Sequence, residues 1–156
     1  MKSIRYGFTA CLLAMLCIVS TNVYAQQTDS EIPAAQLLQP AELVQILNTS
    51  ASEKPLILQV GSHVLYAEAH IPGSEYVGAG GQDSGLQALR DRVKSLKRDQ
   101  FLVLYCGCCP WGKCPNIRPA YHALTSLGFT RVKVLYLADN LGTNWVAKGY
   151  PVAKGR

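Results

Sequence analysis

The sequence predicts a three-layer α/β/α domain with a small, mostly parallel sheet. Short apolar runs of strand length alternate along the chain with amphipathic stretches of helix length. This alternation is typical of parallel strands that are joined by helices, and such a sheet is covered on both faces. The chain has 156 residues, of which 49% are hydrophobic, so it is long enough for one domain with its own core.

The first half of the domain is predicted to contain one clear helix and one clear strand. The helix begins at Pro40, a residue that suits a first helical turn, and ends near residue 48. The apolar run 56–60 is a short buried strand, and a loop leads from it to a weaker extended segment at 75–77. The glycine-rich run 78–85 is predicted to be a connection.

The second half has stronger patterns. Apolar residues from Leu86 to Leu96 recur at helical spacing, and this helix is expected to close at 98–99. A buried strand follows at 101–105, and a helix begins near Pro119 and stops at Gly128. The run 132–137 is the last predicted strand.

Residues 1–25 have the pattern of a secretory signal peptide. Two cations, Lys2 and Arg5, precede an apolar stretch at 8–19, and small residues end the segment before Gln26. The apolar stretch is short for a membrane anchor, which is the alternative. We therefore expect a linker at 26–37, a domain at 38–153, export to an oxidising compartment such as a bacterial periplasm, and no stable membrane association after cleavage.

The charge of the chain argues against nucleic acid as a partner. Removing Lys2 and Arg5 lowers the formal net charge of +5 by two, to +3. The basic residues between 90 and 98 alternate with acidic and apolar residues on a predicted helix, which indicates a solvated face. A nucleic-acid site would require a denser basic patch with aromatic residues among the cations.

The cysteines gather in one loop. Removal of the signal peptide takes away Cys11 and Cys17, and the other four of the six cysteines lie between the strand at 101–105 and the next helix. A reactive thiol at the carboxyl end of a strand, facing the amino end of a helix, is where α/β proteins often place chemistry. The four are Cys106, Cys108, Cys109 and Cys114.

The order of these elements, together with several short motifs, resembles the rhodanese-like domain over about residues 38–153. The motifs are HIPG at 70–73, Tyr105-Cys106 at the strand end, Gly128-Phe129, Trp145 and the GYPV run at 149–152. The resemblance implies an exported single-domain sulfurtransferase without a cofactor. Its partners are then a small sulfur donor, such as thiosulfate or a persulfide, and a thiol or protein acceptor. The sequence indicates no oligomeric state.

The resemblance also implies that Cys106 is the catalytic nucleophile and holds the transferred sulfur as a persulfide. Lys113 and Arg118 are expected to stabilise its thiolate and to attract an anionic donor. The predicted substrate loop consists of Gly107, Cys108, Cys109, Trp111, Gly112, Lys113, Cys114 and Arg118.

The chain departs from the family pattern at three places. Family members usually end the first of these strands with aspartate and arginine, whereas residues 59–61 here read QVG. Alanine, at Ala69, precedes the HIPG motif in place of the common glycine. The cysteine loop is longer than usual and contains Pro110, Pro115 and three further cysteines.

Other chemistries of the loop stay open at the level of sequence. Cys106 and Cys109 have the C-x-x-C spacing of dithiol redox proteins, and any of the other thiols is able to resolve a persulfide. The four thiolates together are suitable ligands for copper or zinc, although the spacing is not that of a structural zinc site. A structural disulfide between Cys109 and Cys114 and a non-catalytic binding module are the remaining alternatives.

Overall fold

The structure is a computed structural model that describes residues 31–49 and 54–155. The predicted signal peptide lies outside these residues. Five strands and five α-helices are present in this part of the chain. In chain order they are β1 Leu37–Leu38, α1 Pro40–Asn48, β2 Leu56–Gln59, α2 His63–Glu68, β3 Glu75–Tyr76, α3 Asp83–Val93, β4 Leu102–Tyr105, α4 Ile117–Ser126, β5 Val132–Leu135 and α5 Leu141–Asn144.

The strands form one sheet in the order β1-β5-β4-β2-β3, and all neighbouring pairs are parallel. The central strand, β4, is fully buried along its whole length. Because side chains alternate along a strand, Leu102 and Leu104 pack in a core with α3 and α4, whereas Val103 and Tyr105 pack in a second core with α1 and α5. The three-layer α/β/α prediction is confirmed.

Two predicted helices are confirmed with small changes at their ends. α1 starts at Pro40, and the backbone N–H of Gln39 donates to the Glu42 carboxylate at 2.7 Å in a capping box. α4 starts at Ile117, two residues before the predicted Pro119, because Ile117 already packs in the core. Gly128, with φ of 86°, supplies the left-handed residue after this helix.

Four elements differ from the sequence prediction. Strand β1, at the edge of the sheet, lies in the stretch predicted to lead into the domain and pairs with β5 through Leu37 and Val134. α2 replaces part of a predicted loop, with Ser62 as its N-cap. α3 begins inside the glycine-rich run, at Asp83, and α5 follows the last strand. β1, α2 and α5 are too short to show a hydrophobic period, so only tertiary contacts define them. The predicted helix at α3 is present, but it ends at Val93 and not at 98–99.

None of the helices in the described ranges has the length and apolar character that a membrane crossing requires.

Candidate active site

Cys106 directly follows the central strand β4 and is buried, with 6% of its surface exposed. Its carbonyl oxygen accepts a hydrogen bond of 2.9 Å from Nε2 of Gln59, at the end of β2. Oε1 of Gln59 in turn accepts the backbone N–H of Gly61 at 3.1 Å. The buried Gln59 side chain therefore ties the end of β2 to the start of the cysteine loop.

Gly61 lies so close to Cys106 that no side chain fits there. A Cβ atom at position 61 would stand 2.5 Å from the carbonyl oxygen of Cys106 and 2.9 Å from its Sγ. Both distances are below those that carbon makes with oxygen or sulfur in folded proteins. Gly61 and Gln59 occupy the positions at which the sequence departs from the family pattern, and together they fix the backbone of Cys106.

The four cysteines of the loop form one cluster of free thiols. Sγ of Cys108 is 3.0 Å from Sγ of Cys106 and 3.1 Å from Sγ of Cys109. The Sγ atoms of Cys106, Cys109 and Cys114 all lie within 4.8 Å of one another. The fold thus brings together every thiol that the sequence analysis assigned to the loop.

Asn116 is a polar contact of this cluster that the sequence analysis did not name. Its Nδ2 donates to Sγ of Cys106 at 3.3 Å and lies 3.7 Å from Sγ of Cys108. Its Oδ1 accepts the backbone N–H of Gly81 at 2.9 Å, which fixes the orientation of the amide. Asn116 occupies the N-cap position of α4, but its side chain makes no capping hydrogen bond, so a capping pattern in the sequence does not predict its contact with the thiols.

The negative charge of the cluster belongs at Cys114. Its pKa is lowered to about 5, mainly by the Cys106 thiol and then by the backbone N–H groups of Asn116 and Ile117 at the start of α4. The pKa of Cys106 is raised by the neighbouring Cys114 and by burial. Burial is also the main cause that raises the pKa of Cys109, to about 12. Within the cluster the thiolate form is therefore favoured at Cys114 over Cys106.

Two cavities meet at Cys106 and share only Cys106 and Gly107. The larger, of about 320 Å³, opens to solvent, whereas the smaller, of about 10 Å³, has room for no more than about one water molecule. The larger is lined by Gln59, Leu65, Glu68, Ala69, Cys106, Gly107, Cys108, Asn140, Leu141, Gly142 and Val146. The smaller is lined by Cys106, Gly107, Cys109, Trp111, Cys114, Ile117, Leu135 and Leu137.

The sequence profile of the rhodanese-like domain matches residues 39–137, which is more than half of the chain. The protein belongs to the rhodanese-like family.

Solved structures have the same fold at low sequence identity. The BH2092 protein of Bacillus halodurans has a TM-score of 0.57 at 22% identity, with 75% of each chain covered. The Alr3790 protein of Anabaena has a TM-score of 0.57 at 24% identity, covering 76% of this chain and 92% of that one. The single-domain sulfurtransferase RDL2 of Saccharomyces cerevisiae has 0.55 at 15% identity, covering 78% and 98%. No curated protein matches the sequence.

In this rhodanese-like domain the predicted loop residues separate into two groups. Gly107, with φ of 78°, turns the chain out of β4 and lines both cavities together with Cys106. Trp111 closes the smaller cavity and packs on Tyr136, with ring centroids 5.1 Å apart. Gly107 and Trp111 thus lie beside Cys106 together with the other three thiols.

The other predicted loop residues face away from Cys106. Gly112, Lys113 and Arg118 are exposed and line neither cavity. Arg118 lies on the solvent side of α4 because its neighbours Ile117 and Ala120 occupy the core side. The polar groups next to the thiols are instead the Asn116 amide and the backbone N–H groups at the start of α4.

The wall of the larger cavity comes mostly from elements that the sequence did not reveal. The short helix α2 contributes Leu65 and Glu68, and the segment that contains α5 contributes Asn140, Leu141 and Gly142. Asn140 follows the last predicted strand, so the sheet-edge rule supplied a partial signal for it. Nothing in the sequence pattern indicated that α2 faces Cys106.

Proposed function

We propose that this rhodanese-like protein is a sulfurtransferase that carries sulfane sulfur as a persulfide on Cys106. The observation that supports this most is the position of Cys106, at the end of the central strand, in the wall of a solvent-open cavity and in contact with the Asn116 amide. A donor in the cavity reaches the sulfur directly, and the amide N–H stabilises negative charge on it.

The loading step requires the thiolate form of Cys106. Its proton passes to the Cys114 thiolate, whose Sγ lies within 4.8 Å of Sγ of Cys106. The Cys106 thiolate then attacks the outer sulfur of a donor RS–SH, forms a new S–S bond and expels RS⁻. The leaving thiolate takes up the proton from Cys114, which restores the charge of the cluster at that residue.

The larger cavity favours a donor with a carbon skeleton over thiosulfate. Among the described residues, no lysine or arginine lines it, and its ionisable residue apart from cysteine is the acidic Glu68. Its rim includes the exposed apolar residues Leu65 and Val146, which are 41% and 39% exposed. A doubly negative inorganic donor finds no counter-ion there, whereas an organic or protein persulfide finds an apolar contact.

The acceptor is a thiol outside the domain, and the place of action is an oxidising compartment. The predicted signal peptide at residues 1–25 supports export. A dithiol reductant is then required to keep four adjacent cysteines reduced.

A soft metal ion is the second candidate ligand of this site. Three sulfur atoms within 4.8 Å of one another, with Cys108 in contact with two of them, are suitable for copper(I) or zinc. Metal binding at Cys106 and sulfur loading exclude each other because both use the same sulfur.

One experiment tests the proposal against these alternatives. Reduced, anaerobically purified Cys114→Ser protein, which lacks one thiol able to resolve a persulfide, is expected to gain the mass of one sulfur atom, about 32 Da, when treated with cysteine persulfide. Intact-mass spectrometry under native conditions is the measurement, peptide mapping places the adduct on Cys106, and the wild-type protein is measured beside the variant. A metal mass carried through purification would support the metal site. Unchanged mass with every donor, in both proteins, would contradict sulfur transfer.

The charge of Glu68 provides a second prediction. Glu68→Gln is expected to raise kcat/KM for thiosulfate by about two- to fivefold at low salt, since it removes a carboxylate that repels the dianion. The gain is expected to shrink as salt is added, and kcat/KM for cysteine persulfide is expected to change less. Steady-state assays with both donors measure this. Asp91→Asn, an exposed change on α3 that lines neither cavity, is the control. An equal effect of both substitutions would contradict a local role of Glu68.

A further inference from the structure

Cys106 lines both cavities, and their very different volumes decide which of them receives the outer sulfur of a persulfide. A donor enters only from the larger cavity of about 320 Å³, so the outer sulfur of a Cys106 persulfide points into it. The smaller cavity, of about 10 Å³, lies beside Cys109, Trp111 and Cys114 and has no room for a donor.

Cys114 lies beside Cys106 but outside the cavity that receives the donor. Its Sγ lies within 4.8 Å of Sγ of Cys106, and it lines the smaller cavity but not the larger one. Displacement at sulfur requires the attacking atom to lie opposite the leaving atom. An outer sulfur in the larger cavity leaves the inner sulfur open to attack from the smaller cavity, which Cys114 lines.

We propose that Cys114 discharges the persulfide, a step that rests on the proposed function of Cys106: its thiolate attacks the inner sulfur, hydrosulfide leaves, and a Cys106–Cys114 disulfide forms. One S–S bond breaks and one forms. The outer sulfur leaves with its proton and the bonding electron pair as HS⁻, so the total charge is unchanged. An external dithiol then reduces the disulfide and returns both thiols. By this route the sulfur is released as sulfide in place of transfer to an outside thiol, and the overall activity is that of a persulfide reductase.

The other two thiols are less suited to this attack. Cys108 has the shorter contact with Cys106, 3.0 Å between sulfur atoms, but it lines the larger cavity beside the outer sulfur. Cys109 lines the smaller cavity, yet it is only partly buried and its Sγ lies against Sγ of Cys108 at 3.1 Å, whereas Cys114 is buried. The lowered pKa of Cys114, about 5, supports the same choice, because the thiolate is the attacking form.

A single-turnover experiment with the full chain tests this role. Reduced wild-type protein mixed with one equivalent of cysteine persulfide, without other reductant, is expected to release about one equivalent of sulfide above the background of Cys106→Ser. Its mass should fall by two hydrogen atoms, and peptide mapping should place the disulfide between Cys106 and Cys114. Cys114→Ser, which should load more slowly because the Cys114 base is missing, should release no sulfide above background and keep the mass of one added sulfur. Cys108→Ser tests the competing thiol and should still form the disulfide.

Three results would overturn the role of Cys114. These are sulfide release by Cys114→Ser at the wild-type level, a disulfide from Cys106 to Cys108 or Cys109, or a stable sulfur adduct on the wild-type protein. In each of these cases Cys106 still accepts sulfur, so the proposed function stands alone. A failure of all variants to gain sulfur or to release sulfide would overturn both the proposed function and the discharge step.

Discussion

The Cys106→Ser variant is expected to lose sulfur transfer by at least about 10³-fold. A serine hydroxyl does not ionise at neutral pH, and it does not hold a sulfane sulfur in a stable bond. No other thiol is expected to replace Cys106 as the sulfur carrier. Of the cysteines that the structure describes, Cys108 is the one other that lines the larger cavity, and it lies outside the part of the loop that the Gln59 hydrogen bonds fix in place. The measurement is the release of thiol from cysteine persulfide and of sulfite from thiosulfate.

The control for this prediction is to show that the Cys106→Ser variant is folded. Serine is smaller than cysteine, and position 106 is buried, so thermal unfolding must show that the variant is folded at the assay temperature. Cys106→Ala, which leaves no hydroxyl in the site, should be equally inactive. Retention of more than about a tenth of the wild-type rate in folded Cys106→Ser would rule out Cys106 as the sulfur carrier.

The Gly61→Ala substitution is expected to have the second large effect, on both stability and activity. Its Cβ would lie 2.5 Å from the Cys106 carbonyl oxygen and 2.9 Å from Sγ, so the strand end must move. Such overpacking costs about 1–3 kcal/mol of unfolding free energy. A displacement of the nucleophile by a fraction of an ångström should lower the loading rate by at least about tenfold.

Gly112→Ala is the matched comparison for Gly61→Ala. A Cβ at position 112 meets no atom within 4 Å, and the residue is exposed. Its unfolding free energy should change by no more than about 0.5 kcal/mol. Denaturant unfolding and single-turnover loading of both variants make the comparison. Equal effects at the two positions would contradict the steric role of Gly61.

Much of the fold was predictable because its long elements have local signals. β4 is a continuous apolar run, α1 has a proline at its first turn, and α4 ends at a glycine. The same signals placed Cys106 at the carboxyl end of a buried strand. The short elements β1, α2 and α5 were not predictable, since two to six residues do not establish a period.

The sequence by itself determined that four thiols share one loop after the central strand of a rhodanese-like domain. The tertiary structure decided how they are arranged. It placed Cys114 and Cys108 in different cavities, turned Lys113 and Arg118 to the solvent, and brought Glu68 near Cys106. The physical reason is that the protonation state of a thiol, and the direction from which its sulfur is attacked, depend on residues that are close in space but not in sequence. The N–H groups at the start of α4 and the cavity beside Cys106 form only when the sheet and helices pack together.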